Sequence, residues 1–207
     1  MELDGVTVFR GGEGAVLAFP RADGDLAGAV RLARESGASE VGCWAIAPDD
    51  ELGRRLEELG FQDGWQPHWM GIDPREVDGS SGHHVEETSR CATGLPYWSE
   101  AHERVLGGDV RHFVVGYADA TVGHVVLNID DESGGIYDMG VARHARRQGY
   151  GKALTLAALK CARESGCASV TLNATPEGEL LYRSVGFESL GLGMTWWLFP
   201  HRACGAD

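Results

Sequence analysis

Two glycines, one residue apart, precede a helix-like stretch in the segment RRQGYGKAL (146–154). Apolar residues recur every three or four positions from Leu154 onwards, which predicts a helix that begins after residue 149. The first turn of any helix has N–H groups without partners and a partial positive charge, and glycine there lets a ligand approach the backbone closely. Arg146, Arg147 and Lys152 add positive side chains. These residue types and their spacing predict an anion site that suits phosphate.

Two common phosphate motifs do not fit this segment. A P-loop requires Ser or Thr after its Gly-Lys pair, and the residue at that position is Ala153. The dinucleotide fingerprint requires a third glycine where the chain has Leu154. What remains is the pattern R-x-x-G-x-G, formed by Arg146, Gly149 and Gly151.

This pattern and its surroundings resemble a known family. The stretch IYDMGVARHARRQGYGKAL (136–154) is similar to the pyrophosphate-binding motif of the GNAT N-acetyltransferase superfamily. The resemblance continues through SVTLNAT (169–175) and LLYRSVGFES (180–189), and it spans about residues 85–200. It implies the GNAT acyl-CoA N-acyltransferase fold, an α/β fold with a mixed sheet, and acetyl-CoA as the co-substrate.

The resemblance also implies which residues bind the donor. In this family the fourth and fifth strands, here IYDMGVA and SVTLNA, separate so that pantetheine lies between them, and backbone N–H groups after the fourth strand bind the pyrophosphate. The cofactor-binding residues implied in this way are Val141, Arg146, Arg147, Gln148, Gly149, Tyr150, Gly151, Lys152 and Asn173. For Asn173 a second interpretation stays open, a polar residue that merely ends a strand.

The chemistry that the resemblance implies is direct attack of an amine on the thioester in a ternary complex. Tyr182 occupies the family's general-acid position, and this role is favoured over the alternative of a core residue on an amphipathic helix. Asp138 is the best-placed carboxylate for the general base, but strand alternation could turn it away from the cleft. Other titratable groups are the imidazoles of His112, His124 and His144. No metal is implied.

An acceptor pocket is expected from the stretch LPYWSEAHERV (95–105). Its Tyr97, Trp98, Glu100 and Glu103 would form an aromatic wall with carboxylates, which suits an amine. The alternative is an amphipathic helix that buries Trp98 in the core.

These residues need a particular set of elements to position them. Strands and helices alternate after residue 135, which predicts a mixed sheet covered by helices. The expected elements, in chain order, are a hairpin (TVFR and AVLAF), a helix near 24–36, a strand near 40–46, a helix near 50–59, strands near 65–72 and 84–88, a helical stretch near 95–106, a hairpin (HFVVGYA and HVVLNID), the strand IYDMGVA, a helix over 150–165, the strand ASVTLNA, a helix over 177–185 and the strand MTWWLF.

The chain contains a degenerate internal repeat. ARESGASEV (33–41) and ARESGCASV (162–170) agree at six of nine positions, and LEELGF (56–61) corresponds to YRSVGF (182–187). Chance similarity of two helix ends is the alternative. In the first copy Leu56 stands for Tyr182, Trp44 for Asn173, and the glycine pattern is replaced by Leu17, Pro20 and Ala22.

The linker DPREVDGSSGHH (73–84) separates the two copies. We therefore expect a degenerate GNAT-like segment over 1–75, which supports the active copy or forms a wall of its acceptor site. Residues 83–207 are expected to form the acetyl-CoA-binding GNAT domain.

The amino-acid composition limits the classes of molecule that the chain is expected to bind. The 207 residues include 31 acidic and 18 Lys or Arg residues, a net charge of −13, which argues against nucleic acid and anionic membranes. This charge is compatible with a cationic substrate or simply with a well-solvated surface. Five cysteines without a C-x-x-C pair, together with a start that lacks signal-peptide features, predict a reduced, cytoplasmic protein.

The edge of the final strand MTWWLF could pair with a second subunit, giving a homodimer, or with the first segment.

The sequence thus predicts an N-acetyltransferase that acts on a primary amine of a small molecule, peptide or protein. The alternatives are a non-catalytic acyl-CoA-binding regulatory module and an interaction domain that no longer binds CoA.

Overall fold

The computed structural model describes residues 1–11, 14–88, 109–117 and 120–199. The chain divides into two compact units, one made of Met1–Pro67 with Gly191–Asp207 and the other of His68–Leu190. Each unit contains one mixed sheet and helices, so the expected α/β fold is confirmed. The expected helical stretch near 95–106, with Tyr97, Trp98, Glu100 and Glu103, lies outside the described residues.

Strands and helices are numbered along the chain. The first unit contains β1 (Glu2–Leu3), β2 (Val6–Gly11), β3 (Gly14–Ala18), α1 (Leu26–Glu35), β4 (Glu40–Ala45), α2 (Asp50–Glu58), β5 (Gln62–Asp63) and β13 (Met194–Leu198). Its sheet has the strand order β1-β2-β3-β4-β13-β5. Alternating buried residues of β3 and the apolar face of α1 form a core of their own.

The second unit contains the glycine pattern. It comprises β6 (His68–Ile72), β7 (Val85–Thr88), β8 (Asp109–Tyr117), β9 (Ala120–Asp130), β10 (Ser133–Val141), α3 (Tyr150–Glu164), β11 (Ser169–Ala174), α4 (Pro176–Val185) and β12 (Glu188–Leu192), with short 3-10 turns at Pro74–Glu76 and Arg143–Ala145. The strand order is β12-β6-β11-β10-β9-β8-β7. Of the strands and α-helices described in this unit, only β12 was missing from the expected series.

One face of this sheet forms the core of the second unit. Val125, Leu127 and Ile129 alternate along β9 and share a buried cluster with Leu154 and Ala158 of α3. Because side chains alternate along a strand, the intervening residues of β9 lie on the opposite face of the sheet. The helix that begins at the glycine pattern is therefore held by its apolar stripe against the sheet.

The two units share one topology, as the repeat predicts. In the first unit β2 pairs antiparallel with β3, and β3 pairs parallel with β4 after a crossover through α1. In the second unit β9, β10, α3 and β11 repeat this arrangement. In each unit the next strand of the sheet is antiparallel, and it comes from the other copy of the repeat.

The chain therefore exchanges strands between its two copies. β13 inserts between β4 and β5 in the first unit, and β6 inserts between β11 and β12 in the second. The expected boundaries, 1–75 and 83–207, placed both strands with their sequence neighbours, and backbone pairing places each in the opposite unit. Of the two partners considered for MTWWLF, the first segment is the one with which it pairs.

Among the described residues, no helix is long and apolar enough to cross a membrane.

Candidate active site

The second unit contains a cleft between two parallel strands. β10 and β11 are hydrogen-bonded neighbours only from Ser133 with Ser169 to Ile136 with Leu172. β10 then continues to Val141 without a register partner in β11, although β11 itself stays paired with β6 as far as Ala174. The two strands have separated at this point, as the family resemblance implies.

A β-bulge accompanies the separation. Between Tyr137 and Gly140, β10 has one residue more than β9, and the register shifts there. Asp138 lies in the bulge with a left-handed φ of 44°, a conformation that costs most residues free energy and that Asp and Asn tolerate better than others. Asp138 is half-buried, and the bulge removes the strict alternation that made its direction uncertain from the sequence.

The loop after β10 ends in a helix that lacks a side-chain cap. Gly149 is the N-cap of α3 with φ 89°, a left-handed conformation that favours glycine. No described side chain hydrogen-bonds the N–H groups of this first turn. Arg147, also left-handed at φ 64°, is exposed. A Cβ at Gly151 would lie 2.9 Å from Leu181 Cδ2, a terminal methyl group that would have to move aside.

Basic side chains surround this loop. The Nε of Arg146 donates to the Val141 carbonyl at 3.2 Å, and its guanidinium lies 3.4 Å from a carboxylate oxygen of Glu177. Because both partners of this ion pair are largely exposed, it contributes little and leaves Arg146 available to an anionic ligand. Lys152 is exposed as well. The local charge is thus positive in a chain that is acidic overall.

Three polar side chains lie on the sheet face opposite α3, beside the separated strands. They are His124 and Asn128 on β9 and Asn173 on β11, as the register of β9, β10 and β11 shows. Both ring nitrogens of His124 and the Oδ1 atoms of Asn128 and Asn173 are buried and have no hydrogen-bond partner within the part of the chain that the structure describes. Buried polar atoms are normally paired, so their concentration here indicates a surface made for a polar ligand.

His124 is the most deeply buried of the three, with 4% of its surface exposed. Burial lowers its pKa, the Asp138 carboxylate opposes this, and His112 lowers it further. Its imidazole is therefore predominantly neutral at pH 7 and can accept a proton. The sequence named His124 only among other titratable residues, because nothing local to it predicts this environment.

Tyr182 lies on α4 with 6% of its surface exposed, and its ring packs edge-on against Phe187 with centroids 5.6 Å apart. Burial raises its pKa to about 12. The hydroxyl therefore keeps its proton at neutral pH, which a general acid requires.

One residue at this loop was not expected from the sequence. His83, from the linker, hydrogen-bonds through Nε2 to the Gln148 carbonyl at 2.7 Å and packs against the ring of Tyr150. A groove of about 280 Å³ lies between the linker and α3, and His83 lines it together with Leu156, Lys160 and others. Among the described residues, no group of three or more His, Cys, Asp and Glu could bind a metal ion.

Comparison with solved structures identifies proteins that have a similar fold. The fold is similar to that of a GCN5-related N-acetyltransferase from Kribbella flavida, with a TM-score of 0.72, 15% identity and coverage of 95% of this chain and 88% of that one. A tandem GNAT protein from the clavulanic acid biosynthesis pathway is also similar, with a TM-score of 0.64, 14% identity and coverage of 99% and 80%. A functionally unknown conserved protein from Staphylococcus epidermidis ATCC 12228 gives a TM-score of 0.61, 17% identity and coverage of 89% and 83%. No curated protein matches the chain.

Residues 108–189 match the family model of the acetyltransferase (GNAT) domain. The chain therefore carries a GNAT acetyltransferase domain. This match includes the separated strands, the bulge, the glycine loop and Tyr182. It supports acyl transfer from acyl-CoA as the activity of the GNAT domain.

The first unit shares the topology of the GNAT domain but not its cleft. β3 and β4 stay paired along all of β3, and the Phe19 N–H continues the pairing to the Trp44 carbonyl at 2.8 Å. The N-terminus of α1 is capped by the Asp25 carboxylate, which accepts from the Gly28 N–H at 2.8 Å. A carboxylate of the chain itself thus occupies the place that an anionic ligand would take.

Proposed function

We propose that the GNAT domain is an N-acetyltransferase that transfers the acetyl group of acetyl-CoA to a primary amine of a small molecule or peptide. The observation that carries this proposal is the separation of β10 from β11 immediately before a glycine-started helix without a side-chain cap. The first supplies unpaired backbone for an extended ligand, and the second supplies N–H groups for its phosphates.

The residues present fit acetyl-CoA. The N–H groups of the segment from Gln148 to Lys152, which includes Tyr150, would bind the pyrophosphate, with Arg146 and Arg147 as additional donors. The backbone of Val141 faces the separation and would pair with the pantetheine arm. The buried Oδ1 of Asn173, which has no hydrogen-bond partner among the described residues, would accept an N–H of the same arm. Acetyl-CoA supplies the activated thioester carbonyl.

Two groups would move protons. His124, neutral at pH 7 and beside the Asp138 carboxylate, would take the proton that the amine loses as its nitrogen bonds to the acetyl carbon. Asp138 would stabilise the resulting imidazolium. The Tyr182 hydroxyl would give its proton to the sulfur as the C–S bond breaks. A pKa of about 12 makes Tyr182 a weak acid, but the same buried surroundings also raise the pKa of the departing thiol.

The acceptor would lie over the sheet face that carries His124 and Asn128. Its amine nitrogen must be neutral to attack, and the Asn128 Oδ1, which no described residue hydrogen-bonds, could accept from one of its N–H bonds. Asp138 adds a negative charge that attracts the protonated amine before it loses its proton. These groups suit a primary amine better than an anionic acceptor.

A second candidate function is an acyl-CoA-binding module without catalysis. The observation that favours it is the burial of Tyr182 in the core, where the ring also serves packing. Such a module would bind acetyl-CoA through the same loop and would not need the Tyr182 hydroxyl.

The test begins with calorimetric titration of acetyl-CoA into the full chain. We expect micromolar binding that is lost when Arg146 and Arg147 are both changed to Ala, or in Gly149→Glu. The matched control changes two exposed arginines of the first unit, Arg31 and Arg54, to Ala and should bind normally. A panel of primary amines, analysed by mass spectrometry, then separates an enzyme from a binding module. Absence of wild-type binding would contradict both functions.

A further inference from the structure

His83 contacts the glycine loop from outside the GNAT motif. Its Nε2 lies 2.7 Å from the carbonyl oxygen of Gln148. A carbonyl oxygen can only accept a hydrogen bond, so Nε2 carries the proton and donates it. The residue belongs to the polar linker before β7, more than sixty positions earlier in the chain than the loop it contacts.

The imidazole is held in this position by several contacts. Its ring packs against that of Tyr150, with centroids 4.2 Å apart and a tilt of 38°. The backbone carbonyl of His83 accepts a hydrogen bond from the Ser81 hydroxyl at 3.1 Å. A Cβ at Gly149 would lie only 3.2 Å from Nε2, so glycine at this position leaves room for the imidazole as well as adopting φ 89°.

The hydrogen bond fixes the orientation of one peptide group. None of the described peptide bonds is cis, so the C=O of Gln148 and the N–H of Gly149 point in opposite directions across a planar unit. With the carbonyl directed at His83, the Gly149 N–H is directed away from it. Because glycine allows the flipped peptide at little steric cost, the loop itself specifies this orientation weakly.

We propose that His83 is a positioning residue for donor binding, which turns the Gly149 N–H towards the pyrophosphate of acetyl-CoA. The inference rests on the proposed function of the same loop. Without the His83 hydrogen bond, the 148–149 peptide samples the flipped orientation, which presents a carbonyl oxygen to the phosphate. Acetyl-CoA then binds only the molecules in which this peptide has the correct orientation. The apparent affinity falls in proportion to the fraction of such molecules.

The deciding variant is His83→Phe, which keeps an aromatic ring against Tyr150 and removes the donor. We expect the Kd of acetyl-CoA to rise about tenfold, because without this hydrogen bond the loop would hold the competent orientation for only about a tenth of the time. His83→Gln, which retains an N–H donor, should restore most of the affinity. The matched control is His84→Phe, because His84 is the exposed neighbour. Thermal melting of each variant monitors folding.

A second ligand separates positioning from general damage. S-acetylpantetheine lacks the pyrophosphate, so its affinity, measured by NMR titration, should be the same for wild type and His83→Phe. Equal loss for both ligands would mean a structural role and would overturn the proposal. So would unchanged acetyl-CoA binding by His83→Phe while the wild type binds. A wild type that does not bind acetyl-CoA would overturn the proposed function and this inference with it.

Discussion

Burial affects the chemistry of Tyr182 without tying its hydroxyl to the protein, since no described residue forms a hydrogen bond with it. Tyr182→Phe removes one oxygen atom and keeps the ring against Phe187. If the hydroxyl is the general acid, kcat should fall by about 10²–10⁴ while the Kd of acetyl-CoA stays within about twofold. Steady-state kinetics and calorimetry measure the two quantities. An unchanged kcat would assign the residue to the core alone.

The pH dependence of kcat is the control for the prediction about Tyr182. Because burial raises the pKa of Tyr182 to about 12, the folded protein keeps the phenolic proton through the range in which a free tyrosine loses it. The stabilisation linked to this proton is fully present below about pH 10 and is lost as the pH rises through the folded pKa. A decline of kcat between about pH 8 and pH 10 would therefore come from another group.

Asp138 combines an unusual backbone with an electrostatic role. Its φ of 44° lies in the left-handed region, which Asn also tolerates, whereas Ala is strained there. Asp138→Asn should therefore fold normally and lower the pKa of His124, since the carboxylate raises it. NMR titration of the His124 ring measures this shift. We expect kcat to fall by about tenfold or more because the imidazolium loses its stabilising partner.

The contrasting result for the same position comes from Asp138→Ala. This variant should lose the same charge and in addition lower the melting temperature, because Ala must adopt the strained φ. Equal pKa values for His124 in the wild type and in Asp138→Asn would show that the two side chains do not interact.

The corresponding helices of the two units, α3 and α1, differ in whether a side chain caps the N-terminus. The start of α3 has no side-chain cap among the described residues, and the start of α1 is capped by Asp25. Asp25→Ala should lower the free energy of unfolding by about 0.5–2 kcal/mol, the usual effect of losing such a cap. It should not create a second acetyl-CoA site, because β3 and β4 remain paired and leave no cleft.

Calorimetric stoichiometry tests this prediction. One acetyl-CoA per chain is expected for the wild type and for Asp25→Ala. The matched control is Asp23→Ala, because Asp23 is exposed and forms its ion pair with Arg21 at the surface. A stoichiometry of two in Asp25→Ala would mean that an uncapped helix terminus is sufficient and that the separation of β10 and β11 is not required.

Local physics explains which elements the sequence could predict. The helix over 150–165 and the strand IYDMGVA follow from apolar periodicity and glycine placement, and both are confirmed. The bulge at Asp138 depends on the register with β9, which no local pattern specifies. The hydrogen bond between His83 and Gln148 could not be predicted for the same reason. The sequence around a histidine in a polar linker does not indicate which distant residue it contacts.

At the scale of the whole molecule, the sequence also did not predict the exchange of strands between the two copies. β6 and β13 are both five-residue strands, and each pairs antiparallel with the second strand of a parallel pair, β11 and β4 respectively. Periodicity predicts that a strand exists and does not specify its partner. The internal repeat is what makes the exchange possible, since each copy ends its parallel core with the same vacant strand position.

The exchange predicts where core substitutions act. Trp196 of β13 is 2% exposed within the first unit, and Met70 of β6 is fully buried within the second. Trp196→Ala should destabilise by about 3–5 kcal/mol and Met70→Ala by about 2–5 kcal/mol. Amide hydrogen exchange should accelerate first over 6–45 for Trp196→Ala and over 120–174 for Met70→Ala, because each side chain packs in the sheet it has joined. The exposed Leu180, changed to Ala, is the control and should alter neither. Acceleration in the opposite units would contradict the exchange.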